Sequence, residues 1–214
     1  MKRKKIEISI AIVLLIAFCV WTALVCFVDV QAIGPQESKV GFATLNGFVH
    51  NLTGDNLWLY DLTDLFSVVP FVAVFGFGLL GLVQWISRKK LLAVDQNIFV
   101  LGGFYVVVMA AFLFFEVVTL NYRPVLIEGV LEGSYPSSTT MLVMCVMPTA
   151  IMQLNHRIVN KSLRYIVSTA IALFTVFMVA GRLISGVHWV SDIIGGALLS
   201  SGLVMLYRAF AKYE

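Results

Sequence analysis

The segment EISIAIVLLIAFCVWTALVCFV, residues 7–28, is predominantly apolar over about 22 residues and follows the basic cluster MKRKK. A helix needs about 20 such residues to cross the hydrocarbon core of a bilayer. A cleaved signal peptide has a shorter apolar core, of about 7–15 residues. We therefore interpret residues 7–28 as an uncleaved first membrane span.

The composition of the whole chain extends this interpretation. Of its 214 residues, 60% are hydrophobic and only 13% are charged, and the mean hydropathy is +0.93. Ordinary soluble domains are only about half apolar, so the composition excludes that class. We predict an all-α fold, a six-transmembrane helical bundle forming a single domain over residues 1–214, with spans at 7–28, 65–86, 98–120, 140–154, 163–182 and 190–210.

The positions of the basic residues predict the topology. With a cytoplasmic N-terminus, six spans leave only Lys39, Arg123 and Arg182 on the outer side, out of fifteen Lys and Arg residues. The inner set is Lys2, Arg3, Lys4, Lys5, Arg88, Lys89, Lys90, Arg157, Lys161, Arg164, Arg208 and Lys212. This asymmetry follows the positive-inside rule. We expect a multi-pass plasma-membrane protein with both termini in the cytoplasm.

Residues 29–64 form the longest polar stretch and include GDNLWLYDLTD, residues 54–64. Trp58 and Tyr60 are typical of the headgroup layer, which favours an interfacial belt. A lid over a substrate site is the alternative interpretation.

The segment GRLISGVHWVSD, residues 181–192, carries ionisable groups at the predicted membrane boundary, where each needs a partner or a function. His188 and Asp192 are four residues apart and share one face if the sixth helix begins near His188. The carboxylate would then orient the imidazole and leave its other nitrogen free as a nucleophile. Arg182 offers a planar donor fork suited to phosphate oxygens. Simple interfacial anchoring of all three is the alternative.

A second polar segment runs from Glu116 through NYRP (121–124) to YPSSTT (135–140). Arg123 ends a predicted span, and Ser137 or Ser138 is a candidate N-cap for the fourth helix. Backbone N–H groups at a helix start, with a hydroxyl, form an anion site. Capping alone also explains the serines, but two arginines on the outer side favour an anion site.

These segments resemble the membrane-bound type 2 phosphatidic acid phosphatase family, which is related to bacterial acid phosphatases and vanadium haloperoxidases. That family carries the motifs K-x6-R-P, P-S-G-H and S-R-x5-H-x3-D. The corresponding residues here are Glu116-x6-Arg123-Pro124, Pro136-Ser137-Ser138-Thr139 and Gly181-Arg182-x5-His188-x3-Asp192. Six spans with the motifs in the second and third outer loops are similar to the family's layout, so the resemblance covers nearly the whole chain.

The resemblance implies a phosphatase that needs no metal or other cofactor and acts at the outer ends of the helices. Its substrate would be a lipid phosphate or a polyprenyl diphosphate in the outer leaflet of the membrane, and no nucleic acid would be involved. His188 would form a phosphohistidine intermediate, with Asp192 orienting its ring. The implied phosphate-binding residues are Arg123, Ser137, Ser138 and Arg182.

Two departures change the expected chemistry. The family's first-motif Lys is Glu116, and its second-motif His, a proton donor to the leaving group, is Thr139. A hydroxyl is too weak an acid for that role, and general acid catalysis contributes about 10²–10⁴ in rate. A diphosphate, whose leaving group needs little protonation, is therefore the favoured substrate.

Three roles remain open for Glu116. It lies seven residues before Arg123 and shares a face with it if the helix persists, so it could pair with that arginine. It could instead bind an ammonium group of a substrate, or supply the missing proton from an apolar site. At the level of the whole protein, the alternatives to a phosphatase are a silent lipid-binding or lipid-translocating protein and a lipid phosphotransferase.

Overall fold

The computed structural model describes residues 2–211, so Lys212 of the predicted inner set lies outside the described residues. Within that range the chain forms eight α-helices and one pair of two-residue strands. The helices are α1 (Lys2–Phe27), α2 (Ala43–Thr53), α3 (Leu57–Phe66), α4 (Val68–Arg88), α5 (Gln96–Val117), α6 (Ser138–Arg157), α7 (Lys161–Ile184) and α8 (Val190–Phe210). The strands β1 (Gln31–Ala32) and β2 (Lys39–Val40) pair antiparallel.

The chain is a multi-pass membrane protein. In residues 2–211, five segments are long and apolar enough to cross a bilayer: Lys2–Phe27, Leu57–Arg88, Gln96–Val117, Lys161–Ile184 and Val190–Phe210. They correspond to five of the six predicted spans. The second is longer than predicted, because α3 runs almost directly into α4.

The remaining predicted span, 140–154, lies within α6, which has 20 residues but is not among those five. Helix α6 is largely buried by its neighbours and carries polar side chains that pair inside the bundle. Gln153, for example, is fully buried and donates to Tyr207 Oη at 2.7 Å and to the Asn97 carbonyl at 3.0 Å. A helix that other helices enclose can carry polar residues and still cross a membrane, because few of its side chains face lipid. The crossing by α6, and with it the count of six spans, stays a prediction.

The polar stretch 29–64 is more ordered than a loop, since it contains α2 and most of α3. Trp58 is 71% exposed, which is compatible with an interfacial position. Helix α3, in contrast, packs against α7 so closely that a Cβ at Gly181 would lie 2.7 Å from Thr63 Cγ2. This contact brings the end of α3 to the end of α7.

The two ends of the bundle have different chemistry. At one end lie Glu116, Ser137, Arg182 and His188, at the ends or starts of α5 to α8. At the other, ion pairs connect helix termini, including Arg208 to Glu7 at 3.0 Å and Arg88 to Asp95 at 2.7 Å, the latter from the end of α4 to the residue before α5. All candidate catalytic residues thus share one end of the bundle, while its outward orientation in the cell stays a prediction.

Candidate active site

Helix α8 positions the two residues of the candidate nucleophile pair. It begins at Val190, so His188 lies just before it and Asp192 lies in its first turn. Asp192 Oδ2 accepts a hydrogen bond from the Trp189 backbone N–H at 3.0 Å, which fixes the carboxylate at the helix start. A Cβ at Gly195 would lie 2.6 Å from the Tyr135 ring, so the lack of a side chain at this position allows the segment before α6 to pack against α8.

His188 and Asp192 face each other inside the protein. His188 Nδ1 lies 3.7 Å from Asp192 Oδ2, and their side chains are 2% and 0% exposed. This distance is longer than a hydrogen bond, and the contact is an ion pair only when the imidazole is protonated. Among the described residues, Nδ1 has no hydrogen-bond partner. The ring is therefore oriented toward a carboxylate that can close on Nδ1 when charge develops on the imidazole.

The protonation state of His188 follows from its surroundings. Burial lowers the pKa of His188 to about 4, and the positive charges of Arg123 and Arg182 act in the same direction, against the opposing effect of Asp192. The imidazole is therefore neutral at physiological pH. A neutral imidazole has a free lone pair, as a nucleophile requires.

Arg182 lies at the end of α7 and is 3% exposed. Its Nη2 donates to Thr139 Oγ1 at 2.7 Å and to Asp64 Oδ1 at 2.7 Å. Its Nε and Nη1 are buried and unpaired within residues 2–211. Unpaired buried donors are costly, and the free Nε and Nη1 are the kind of donor that an anion accepts from.

Arg123 does not lie on α5, which corrects one sequence expectation. The helix ends at Val117, and the following segment folds back on itself, so that the Arg123 N–H donates to the Glu132 carbonyl at 3.0 Å. Arg123 Nε consequently lies 3.1 Å from Glu132 Oε2. The helix does not persist from Glu116 to Arg123, so the condition under which the two would share a helical face is not met.

Tyr60 of α3 connects the two arginines. Its ring centroid is 4.9 Å from Arg182 Cζ and 5.7 Å from Arg123 Cζ, distances typical of cation–π contacts. Arg123 Nε and Nη1 have no aligned acceptor in the part of the chain described. Both guanidinium groups thus keep free donors while they contact the same aromatic ring.

A cavity of about 310 Å³ opens beside Arg123 and His188, and Arg182 is not among the residues that line it. Its apolar wall includes Phe112, Phe115 and Met141, and its polar wall includes Glu116, Arg123, Glu132, Ser138 and His188. The described residues contain no group of three or more His, Cys, Asp or Glu side chains placed to hold a metal ion. Its volume lies at the lower end of the range of small-molecule sites, about 300–1,000 Å³.

The two candidate serines differ in position. Ser137 is fully buried and is the N-cap of α6: its Oγ accepts from the Thr140 N–H at 3.4 Å, while its own N–H donates to the Asp192 carbonyl at 3.1 Å. Ser138 lines the cavity. Of the two, Ser138 is the one presented to a ligand, and Ser137 joins the start of α6 to that of α8.

The structure adds residues that the sequence did not indicate. Asn46 of α2 is fully buried, accepts from the Ser191 N–H at 3.1 Å and donates to Ser191 Oγ at 2.9 Å, which supports the start of α8 next to Asp192. Asp64, Tyr60 and Glu132 contact the arginines. The sequence signal for these residues is weak: Asn46, Asp64 and Glu132 lie in polar segments where nothing local distinguishes them from solvated residues, and the sequence favours an interfacial position for Tyr60.

Comparisons with known proteins bear on the family and the fold of the chain. A profile described as PAP2 superfamily matches residues 103–214. A crystal structure described as the first transmembrane PAP2-type phosphatidylglycerolphosphate phosphatase from Bacillus subtilis is similar over 94% of each chain, with a TM-score of 0.59 and 18% sequence identity. At that identity the similarity shows a shared fold. No curated protein gives a significant sequence match.

Proposed function

The chain belongs to the PAP2 superfamily, and from this premise we propose that it is a membrane lipid phosphatase with His188 as its nucleophile. The observation that carries the proposal is the position of His188, on the wall of the cavity with Nδ1 toward the buried carboxylate of Asp192. Arg123 and Arg182 lie close by with unused donors. A passive phosphate site would need only the arginines, whereas an oriented neutral imidazole supports chemistry.

The proposed first step forms a phosphohistidine. With Nδ1 turned to Asp192, Nε2 of His188 attacks phosphorus, and the bond from phosphorus to the leaving oxygen breaks with its electron pair remaining on that oxygen. The imidazole becomes positively charged, and Asp192 stabilises it through Nδ1–H. In the second step the oxygen of a water molecule bonds to phosphorus, the phosphorus–nitrogen bond breaks with its electron pair returning to Nε2, and the two protons of the water leave with the inorganic phosphate as H₂PO₄⁻.

The proposed phosphate site consists of Arg123, Arg182, Ser138 and the N–H groups at the start of α6, with Ser137 holding that start in place. Phosphoryl transfer depends mainly on positioning and charge stabilisation, which arginine donors supply without a metal. All of the side chains in this proposed site belong to the three motifs that the resemblance identifies.

The presence of Thr139 favours a substrate whose leaving group is stable without protonation. Its hydroxyl accepts the hydrogen bond from Arg182, so Thr139 is a positioning residue for that arginine and no proton donor replaces the histidine. We therefore propose a diphosphate, such as a polyprenyl diphosphate in the outer leaflet, as a better substrate than an alkyl phosphate. The leaving phosphate of a diphosphate needs little protonation to depart. The lack of a general acid should therefore slow its hydrolysis by much less than the factor of roughly 10²–10⁴ that general acid catalysis contributes to the rate.

Glu116 is proposed to contact the substrate. It is exposed at the wall of the cavity, so the apolar enclosure that a carboxyl proton donor requires is absent around this described residue. A carboxylate beside a phosphate site disfavours additional negative charge and attracts an ammonium group. Glu116 would thus discriminate among head groups by charge.

Phosphate release by the purified protein tests this function. Undecaprenyl diphosphate and phosphatidic acid in detergent should both be assayed with wild type and His188→Ala, and only wild type should release phosphate, faster from the diphosphate. Brief reaction with a substrate labelled at its terminal phosphate, followed by alkaline quenching and peptide mapping, should find label at His188. Equal release by wild type and the variant would overturn the proposal.

One observation favours a second function, a silent lipid-phosphate-binding or lipid-translocating protein. Both arginines already contact carboxylates, Glu132 and Asp64, in addition to their free donors. Binding of a labelled lipid phosphate that persists in His188→Ala, without any release by wild type, would select this function. Release that appears only when an alcohol acceptor is added would instead indicate phosphotransfer.

A further inference from the structure

A second cavity lies between α4 and α5, at the half of the bundle away from the candidate active site. It measures about 690 Å³, more than twice the volume of the active-site cavity, and its wall is almost entirely apolar. Several wall residues face outward, including Leu82, Trp85 and Val106, which are 44%, 47% and 70% exposed. The cavity is therefore a groove that opens toward the hydrocarbon core.

Glycines create the space in this groove. Gly78 of α4 and Gly102 and Gly103 of α5 line it, and a Cβ built at any of the three would meet nothing within 4 Å among the described residues. Small residues in membrane helices usually allow two helices to pack closely. Gly81, which also lines the groove, has this packing role, since a Cβ there would lie 3.1 Å from Ile98 Cγ2; the other three glycines leave room between the helices.

The length of the groove matches one leaflet. Along α4 the wall runs from Val74 to Trp85, a separation of eleven positions or about 16 Å at 1.5 Å per residue. Half of a hydrocarbon core of about 30 Å is about 15 Å. Trp85, at the far end of the groove, is of the type that marks the membrane interface.

Basic residues stand at that far end. Trp85 and Leu91 both line the groove and bracket Arg88, Lys89 and Lys90 in the chain. Arg88 is occupied, since its Nη1 donates to Asp95 Oδ1 at 2.7 Å and to the Ala93 carbonyl at 2.5 Å. Lys89 and Lys90 are exposed, and neither has a carboxylate within ion-pair distance in residues 2–211.

We propose that this groove is a binding site for one anionic phospholipid of the leaflet opposite the candidate active site. An acyl chain lies along the glycine-lined wall, and the negatively charged head group contacts Lys89 and Lys90. The apolar wall favours binding of an acyl chain, and the two unpaired ammonium groups favour a negatively charged head group. The site shares no lining residue with the active-site cavity, so it does not depend on the proposed function.

Quenching of Trp85 by brominated lipids tests the proposal. Full-length protein is reconstituted in phosphatidylcholine vesicles in which a rising fraction carries dibrominated chains, either as phosphatidylglycerol or as phosphatidylcholine. The Trp85 signal is the difference between wild type and Trp85→Phe. Phosphatidylglycerol should quench it at a lower mole fraction, by about fivefold for each contributing lysine.

Matched variants separate the groove from general lipid contact. Lys89→Gln/Lys90→Gln should abolish the preference for phosphatidylglycerol. Gly78→Leu should block quenching by both lipids, whereas Gly76→Leu should not, because Gly76 is also exposed and open on α4 but does not line the groove. Equal quenching by both lipids in wild type would overturn the proposal. A second outcome would also overturn it: wild type is a dimer, Gly78→Leu is a monomer, and the preference for phosphatidylglycerol is the same in both. A second copy of the chain, and no lipid, would then occupy the groove.

Discussion

Arg182 Nη2 donates a hydrogen bond of 2.7 Å to Thr139 Oγ1, although the two residues are separated by 43 positions in the chain. Position 139 is where the related second motif has its histidine. The threonine at this position gives Arg182 a buried hydrogen-bond acceptor. The same Nη2 also donates to Asp64 Oδ1, so two side chains from different helices determine where this guanidinium points.

Thr139→Val should reduce kcat/KM by about tenfold to a hundredfold, because a hydrogen bond to a charged group contributes about 1.5–3 kcal/mol. Thr139→Ser keeps the hydroxyl and should retain most of the activity. Steady-state phosphate release from a diphosphate lipid measures both. Full activity in Thr139→Val would mean that Asp64 alone positions Arg182.

Asp64→Asn should strengthen binding of phosphate and of orthovanadate, by about threefold to tenfold. Asp64 is 57% exposed, so its ion pair with Arg182 is partly screened and its removal leaves Arg182 more available to a ligand anion. Asp61→Asn, an exposed change on the same helix, is the matched control and should leave binding unchanged. Competitive inhibition by orthovanadate gives the comparison, and weaker inhibition in Asp64→Asn would show that the carboxylate mainly orients the arginine.

Gly181→Ser, which restores the related family's residue, should destabilise this protein by about 1–3 kcal/mol, the usual cost of overpacking. A Cβ there would lie 2.7 Å from Cγ2 of the fully buried Thr63. Thr63→Ser deletes that methyl group and keeps the hydroxyl, so the double variant should recover most of the lost Tm. Thermal unfolding in detergent measures the effect, and an unchanged Tm in the single variant would contradict the close packing of α3 on α7.

The His188 imidazole should remain neutral at pH 5.5. Its pKa, lowered to about 4 by burial and by nearby arginines, lies below the ordinary value of 6.5. Between these two values the unfolded chain binds more protons than the folded one, so this residue makes stability rise with pH in that window and fall as the pH drops from 6.5 toward 4. NMR of histidine-labelled protein, assigned with His188→Gln, measures the midpoint; a value near 6.5 would contradict the buried environment.

Glu116→Gln should leave turnover of a saturating diphosphate lipid within about threefold of wild type and should raise affinity for strongly anionic head groups, since one negative charge leaves the cavity wall. Kinetics with lipids that do and do not carry an ammonium group provide the measurement. Loss of turnover with intact lipid binding would instead restore the proton-donor interpretation of this carboxylate.

The sequence by itself determined the features that depend on local chemistry. Long apolar runs predict helices that cross a membrane, and five of the six predicted spans correspond to helices of that kind. The start of α8 next to His188, with Asp192 in its first turn, also followed from spacing along one helix. The sequence could not decide whether the helix persists to Arg123; it does not, because residues after Val117 pair across a turn, and the Ser134 N–H donates to the Asn121 carbonyl at 2.9 Å.

Only the tertiary structure decided which side chains contact the arginines. Asp64 reaches Arg182 across 118 positions, and Asn46 reaches Ser191 across 145. Such pairs leave no local pattern, because they depend on where separate helices pack. Gly181 illustrates the physical reason. Because it has no side chain, α3 packs closely against α7, and this packing brings the Asp64 carboxylate to Arg182, which the sequence had linked to phosphate.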